Sequence, residues 1–229
     1  MLETLRTEVY EANLELVRRG LVIYTFGNAS GVDRARGLIA IKPSGVPYEK
    51  MSPADMVVAD LDCRVVEGKL RPSSDLETHA ALYRAFPTIG GVAHTHSRHA
   101  TAWAQARREI PCFGTTQADY FCGSVPVTEP LTAEEIESDY EANTGTAIVR
   151  LMRDRDPLGC PAALVAGHAP FCWGKSVTEA VHAAVIVEEL AAMAWQTLTI
   201  NPAATPIADA LRDRHHFRKH GPGATYGQK

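Results

Sequence analysis

The stretch Gly90-Gly91-Val92-Ala93-His94-Thr95-His96-Ser97 governs the reading of this chain. It reads as a short buried strand carrying histidines at i and i+2. Strand side chains alternate between faces, so both imidazoles leave the same face. Imidazole nitrogens suit zinc and its transition-metal neighbours. A second apolar run, Ala162-Ala163-Leu164-Val165-Ala166-Gly167-His168, also ends in histidine. Three histidines with an open position describe a catalytic metal site, because structural zinc sites are usually closed and rich in cysteine. One histidine at a strand end is more often a satisfied core residue. A pair with a third partner favours a metal.

Outward from that stretch, the remaining segments mix strand and helix. Residues 2–19 place Leu2, Leu5, Val9, Ala12, Leu16 and Val17 near helical spacing, and Gly20 stops the run. Thr25-Phe26-Gly27-Asn28-Ala29-Ser30-Gly31 reads as a turn-rich stretch leading into a strand, residues 37–42 as a second strand, and 56–60 with 64–67 as a hairpin. Ser74 is placed to cap a helix, with Glu77 at the capping-box position. Further helices are expected over 99–106, from the capping box at Thr132-Ala133-Glu134-Glu135, over 178–198 and over about 205–219. Asn143-Thr144-Gly145 is the expected break in the helical pattern after Thr132. The economical architecture is one three-layer α/β/α domain over residues 1–229, with a mostly antiparallel or mixed central sheet.

Composition removes several classes of function. The chain has 229 residues, which suits one sizeable core, and its 45% apolar and 22% charged content is that of a globular protein. A net charge of −4 gives no reason to expect a nucleic-acid or anionic-membrane partner. The long apolar stretch at 181–198 is interrupted by Glu188-Glu189 and reads as a core helix. No basic region followed by an apolar one opens the chain. The five cysteines are odd in number and form no CxxC pair, so a reducing, cytoplasmic setting is expected.

Three small polar loops accompany the histidines: Gly27-Asn28, Lys42-Pro43-Ser44-Gly45 and Ser73-Ser74. Unhindered N–H groups and hydroxyls of this kind suit a phosphate dianion, and Ser73 and Ser74 precede a helix N-terminus. Lys42 adds a compensating charge. Each loop alone reads equally as a turn or a cap. Asp75 follows directly, able to complete a metal shell, to orient a ligand histidine or to sit in a helix first turn. Asp119, between small and apolar residues, is a general-base candidate. The end of the chain, His215-His216-Phe217-Arg218-Lys219-His220-Gly221-Pro222-Gly223-Ala224-Thr225-Tyr226-Gly227-Gln228, is too rich in features for a solvated tail and reads as ordered against something, a neighbouring subunit being the candidate.

These pieces, in this order, resemble the L-ribulose-5-phosphate 4-epimerases of the class II, metal-dependent aldolase superfamily. The resemblance runs nearly end to end. It includes Glu11-Ala12-Asn13-Leu14, Ile41-Lys42-Pro43-Ser44-Gly45-Val46, Pro72-Ser73-Ser74-Asp75 and Gly90 through Trp103. It continues through Ala118-Asp119-Tyr120-Phe121, His168-Ala169-Pro170-Phe171 and Tyr226-Gly227-Gln228. It implies that His94, His96 and His168 bind zinc, with Asp75 as fourth ligand. It further implies that Gly27, Asn28, Ser44, Gly45, Ser73 and Ser74, with Lys42 nearby, receive a sugar phosphate. Asp119 and Tyr226 would be the two proton donor/acceptors, with His215 close by. Tyr226 would come from an adjacent subunit of a homotetramer, by way of a tail spanning about 215–229. The implied reaction interconverts L-ribulose 5-phosphate and D-xylulose 5-phosphate by opening and reclosing the C3–C4 bond. Two competitors stand beside it: a sugar-phosphate aldolase of the L-fuculose type, which carries Glu where Asp75 stands, and a non-catalytic scaffold like the adducin head.

Overall fold

The structure, a computed structural model, describes residues 2–220 and 223–225. Helix α1 (Leu2–Arg18) buries Val9, Ala12 and Leu16, the apolar stripe anticipated from spacing. Strands β1 (Gly27–Asp33), β2 (Leu38–Ile41), β3 (Val57–Asp60) and β4 (Val65–Glu67) follow as an antiparallel succession. Then come α2 (Leu76–Ala85), β5 (Gly91–Thr95), α3 (Arg98–Gln105) and the short α4 (Thr115–Ala118). The remainder is α5 (Ala133–Glu137), α6 (Tyr140–Leu151), β6 (Ala162–Leu164), β7 (Pro170–Gly174), α7 (Val177–Ile200) and α8 (Asp209–Lys219).

Among the described residues one seven-stranded sheet runs in the order β4-β3-β2-β1-β5-β7-β6, every pairing antiparallel. Helices cover both faces, which gives the expected three layers. The face under α1 and α7 is cleared by glycine. Gly31 pairs with Gly91, and Gly91 pairs with Gly174, so three strands present a row without side chains. A Cβ at Gly91 would lie 2.4 Å from Val177 Cα, and one at Gly174 would lie 2.5 Å from Glu179 Cβ. The first turns of α7 therefore rest almost on the sheet backbone. Helix α1 is stitched to the same face by Asn13, whose amide donates to Ala29 O (3.0 Å) and accepts from Ala29 N (2.9 Å).

The opposite face carries α2. Ser30 Oγ sits 2.7 Å from His79 Nδ1 and 2.8 Å from Tyr83 Oη, a buried polar knot between sheet and helix. Helix α6 closes onto α2 at Gly145, where a Cβ would fall 2.6 Å from Ala81 Cβ. Four local expectations are corrected. The helical pattern after Thr132 breaks at Ser138 and Asp139, not at Asn143-Thr144-Gly145, because Gly145 serves helix packing inside α6. The Ser74–Glu77 capping box does not form, and Asp75 occupies the N-cap. Residues 115–118 form the unforeseen helix α4. The run ending at His168 is a three-residue strand followed by a turn, and the fully buried β7 begins at Pro170. Proline at a strand's first residue loses no ladder bond, yet it masks the strand from a pattern reading. No helix among the described residues is long and apolar enough to cross a membrane.

Candidate active site

Sheet register brings the first histidine to its place. His94 lies near the end of β5, opposite Asn28 on β1 and Phe171 on β7. Its ring stacks on Phe171 with centroids 4.1 Å apart and planes 17° from parallel. Its Nδ1 is 2.9 Å from Pro170 O, and a carbonyl only accepts, so Nδ1 carries a proton and Nε2 is the nitrogen left to meet a ligand. His96 stands one residue beyond β5, where it is exposed to the pocket. His168 is delivered by a tight turn between β6 and β7. There His168 N donates to Val165 O (2.9 Å), and Gly167 adopts φ +74°, a left-handed conformation that glycine takes without cost.

The three ligand nitrogens lie within 4.8 Å of one another, and the Nε2 atoms of His96 and His168 are 3.2 Å apart. Zn–N bonds of about 2.0–2.1 Å in tetrahedral geometry separate two ligand nitrogens by about 3.3 Å. The donor set thus fits a small divalent cation with little movement. Burial first, then the neighbouring His94 and His96, lowers the His168 pKa to about 4, and burial likewise lowers that of His96. Both rings are neutral at pH 7, the form that ligates a metal.

A pocket of about 370 Å³ opens over the histidines. The polar loops foreseen in the sequence converge on it from three elements. Pro43 bridges to Pro72, Ser44 N donates to Arg71 O and Ser73 N donates to Lys42 O, which places Ser44-Gly45 beside Ser73-Ser74. Gly27, Asn28 and Lys42 complete that wall. Lys42 has a more internal task than a free counter-charge. Its ammonium donates to Pro43 O (3.1 Å) and Val46 O (3.0 Å) beneath the loop, and burial lowers its pKa to about 8.

Asn28 donates through Nδ2 to Asp75 Oδ2 (2.6 Å) and Ser73 Oγ (3.1 Å). Its buried Oδ1 has no partner among the described residues, a spare acceptor of the kind a ligand hydroxyl satisfies. Asp75 lines the same pocket, while the three-imidazole cluster does not include its carboxylate. Burial opposes its ionisation, but His94, His79 and the Asn28 amide prevail and hold its pKa below the usual range.

Asp119 and His215 lie elsewhere. Asp119 ends α4 and is gripped by α8: His215 Nδ1 is 3.1 Å from Oδ1, Arg218 Nη2 3.0 Å and Lys219 Nζ 3.2 Å from Oδ2. Burial works against its charge, yet Arg218, Lys219 and His215 hold its pKa below the ordinary value. Neither Asp119 nor His215 is among the residues lining the 370 Å³ pocket of the chain. Tyr226 falls outside the described residues. At the start of α3 the ring and backbone N–H of His99 meet Glu188 of α7. Sequence reasoning passed over Tyr140 and Glu141, which also line the pocket. No periodicity or motif marks them, since tertiary packing alone brings the N-terminus of α6 to this mouth.

An antiparallel sheet between helical layers, with three imidazoles at the end of its central strands, defines a class II aldolase architecture. The chain belongs to the class II aldolase and adducin N-terminal domain family, whose pattern matches residues 7–195. Among curated relatives it is 54% identical, over the whole of both chains, to L-ribulose-5-phosphate 4-epimerase UlaF of Salmonella paratyphi B, and equally so to that of Salmonella paratyphi C. Among solved structures it resembles an L-fuculose 1-phosphate aldolase at 26% identity and TM-score 0.80, covering 94% of this chain and 95% of that one. YgbL of Klebsiella pneumoniae shares the fold at 22% identity and TM-score 0.75, over 94% and 99% of the two chains.

Proposed function

We propose that this chain is a zinc-dependent L-ribulose-5-phosphate 4-epimerase, interconverting that sugar phosphate with D-xylulose 5-phosphate. The observation that carries the reading is the convergence of three imidazoles beside loops suited to a phosphate, in a chain 54% identical throughout to epimerases of that name. His94, His96 and His168 hold the ion, with Asp75 as fourth ligand or as the anchor of its surroundings. Zinc held there would supply Lewis-acid chemistry, stabilising the negative charge that develops when the C3–C4 bond opens.

The chain's own residues do the remainder. Ser44, Gly45, Ser73 and Ser74, with Gly27, Asn28 and the Lys42-braced loop, retain the phosphate of the aldehyde fragment while its carbonyl turns over. Asp119 and Tyr226 take and return the proton of the C4 oxygen on opposite faces, with His215 beside Asp119. General acid–base help of this kind is worth roughly 10²–10⁴-fold. The position of Asp119 and His215 outside their own chain's pocket supports a homotetramer in which the 215–229 segment reaches an adjacent subunit. The five cysteines are all free, in keeping with a cytosolic enzyme.

An aldolase that releases both fragments is the second reading, favoured by the likeness to an L-fuculose 1-phosphate aldolase. Asp75 speaks against it, since the resemblance gives those enzymes a longer glutamate there. Zinc-reconstituted protein incubated with L-ribulose 5-phosphate decides the matter. Formation of D-xylulose 5-phosphate without free glycolaldehyde phosphate is expected. Steady release of the aldehyde would transfer the chain to the aldolases, and no turnover with zinc, manganese or cobalt would end both readings.

A further inference from the structure

The imidazoles of the cluster differ in how their Nδ1 atoms are held. For His94 the holder is a backbone carbonyl, Pro170 O, which no side-chain substitution removes. For His168 it is a side chain: Tyr140 Oη lies 3.2 Å from His168 Nδ1, and the two rings sit 6.1 Å apart at 37°. Tyr140 is the first residue of α6, and that end of the helix is firmly fixed. Thr78 Oγ1 donates to Glu141 O at 2.6 Å, and Gly145 lets α6 close onto α2. By contrast His168 rides on a turn between two short strands.

We propose that Tyr140 is a positioning residue for the metal, its phenolic oxygen accepting the Nδ1 proton of His168 so that the Nε2 lone pair faces the ion. The inference rests on the reading of His94, His96 and His168 as a divalent-metal site and assigns to it a partner from a separate helix. Groups that hold the remote nitrogen of a ligand histidine typically change metal affinity 10–100-fold when removed. A tyrosine that merely walls the pocket would alter sugar binding and leave the metal untouched.

The test compares full-length wild type with Tyr140→Phe. Zinc dissociation constants are measured by competition with a chromophoric chelator, with thermal melting as a check on folding. Binding about 10–100-fold weaker in the variant is expected. Equal affinities would overturn the role of Tyr140, whereas a wild type that binds no zinc would overturn the metal reading on which it stands. A second measurement needs no variant at that position. Nitrogen-15 spectra of the metal-free wild type should show His168 in the Nδ1–H tautomer, its signal assigned by loss in His168→Gln. A His168 found as the Nε2–H tautomer sinks the proposal.

Discussion

Phe171 lies flat beneath His94, 4.1 Å between ring centroids, so a core residue of β7 sets the plane of an imidazole at the pocket floor. The same ring meets His79 edge-on at 5.9 Å and His168 at 6.2 Å. Phe171 is fully buried, and packing density in such a position leaves few alternative arrangements. Orientation of this histidine of the cluster is thereby a consequence of core packing.

Replacing Phe171 should damage stability and metal affinity together. Phe171→Ala is expected to lose about 3–5 kcal/mol of folding free energy. Phe171→Leu, closer in volume, should lose less but still release the His94 ring. Urea unfolding combined with zinc titration checks this. A Phe171→Leu protein that bound zinc as tightly as wild type would show that the stacking does not orient His94.

The glycine row makes a sharper claim about the fold. In Gly91→Ala the new methyl would meet Val177 Cα at 2.4 Å, and backbone cannot swing aside as a side chain does. Overpacking of this kind costs about 1–3 kcal/mol. Gly114→Ala is the control, since nothing lies within 4 Å of a Cβ there. Thermal unfolding of the pair should separate them clearly. Equal melting temperatures would mean that α7 does not rest on the sheet as described.

His79 should make the protein acid-sensitive. It is fully buried with Nδ1 at the Ser30 hydroxyl, and burial lowers its pKa to about 3. The unfolded chain takes up this proton near pH 6.5, and the native state does not take it up until about pH 3. Stability attributable to this group is therefore intact above about pH 6.5 and declines as pH falls toward 3. The slope is about 1.4 kcal/mol per pH unit for one proton. Urea unfolding of metal-free protein at several pH values between 5 and 7.5 tests it, with His79→Gln as comparison. Identical slopes in the two proteins would refute the assignment.

The proposal that active sites are shared between subunits has a direct consequence. His96→Ala is expected to lose metal and nearly all activity, while Tyr226→Phe keeps metal and turns over slowly. If one subunit's pocket is served by another's tail, tetramers assembled from both variants should contain some pockets with neither lesion. Mixed, dissociated and reassembled protein should then exceed the activity of either parent. A mixture no more active than Tyr226→Phe diluted with inactive chain would place both residues in one subunit's site.

How much was legible in advance depended on range. The stripe of α1, the 57–67 hairpin and the Thr132 capping box are local devices, with partners a few residues apart. The structure holds each of them, including the reciprocal Thr132–Glu135 bonds. Strand β7 was hidden because Pro170 opens it and both of its faces are buried, which erases alternation. Gly145 looked like a breaker because its reason, the Ala81 side chain of α2, lies 64 positions away.

The site divides along the same line. Residue types and order alone determined which histidines could share an ion and which small polar loops could hold an anion, since that chemistry belongs to the side chains themselves. Only the tertiary structure decided that Lys42 spends its ammonium on Pro43 and Val46 carbonyls. The fold likewise gave Asn28 to Asp75 and Ser73, set Asp119 against α8, and brought Tyr140 to His168. Those pairings join segments packed from separate layers, and the geometry of that packing is written in no single stretch of the chain.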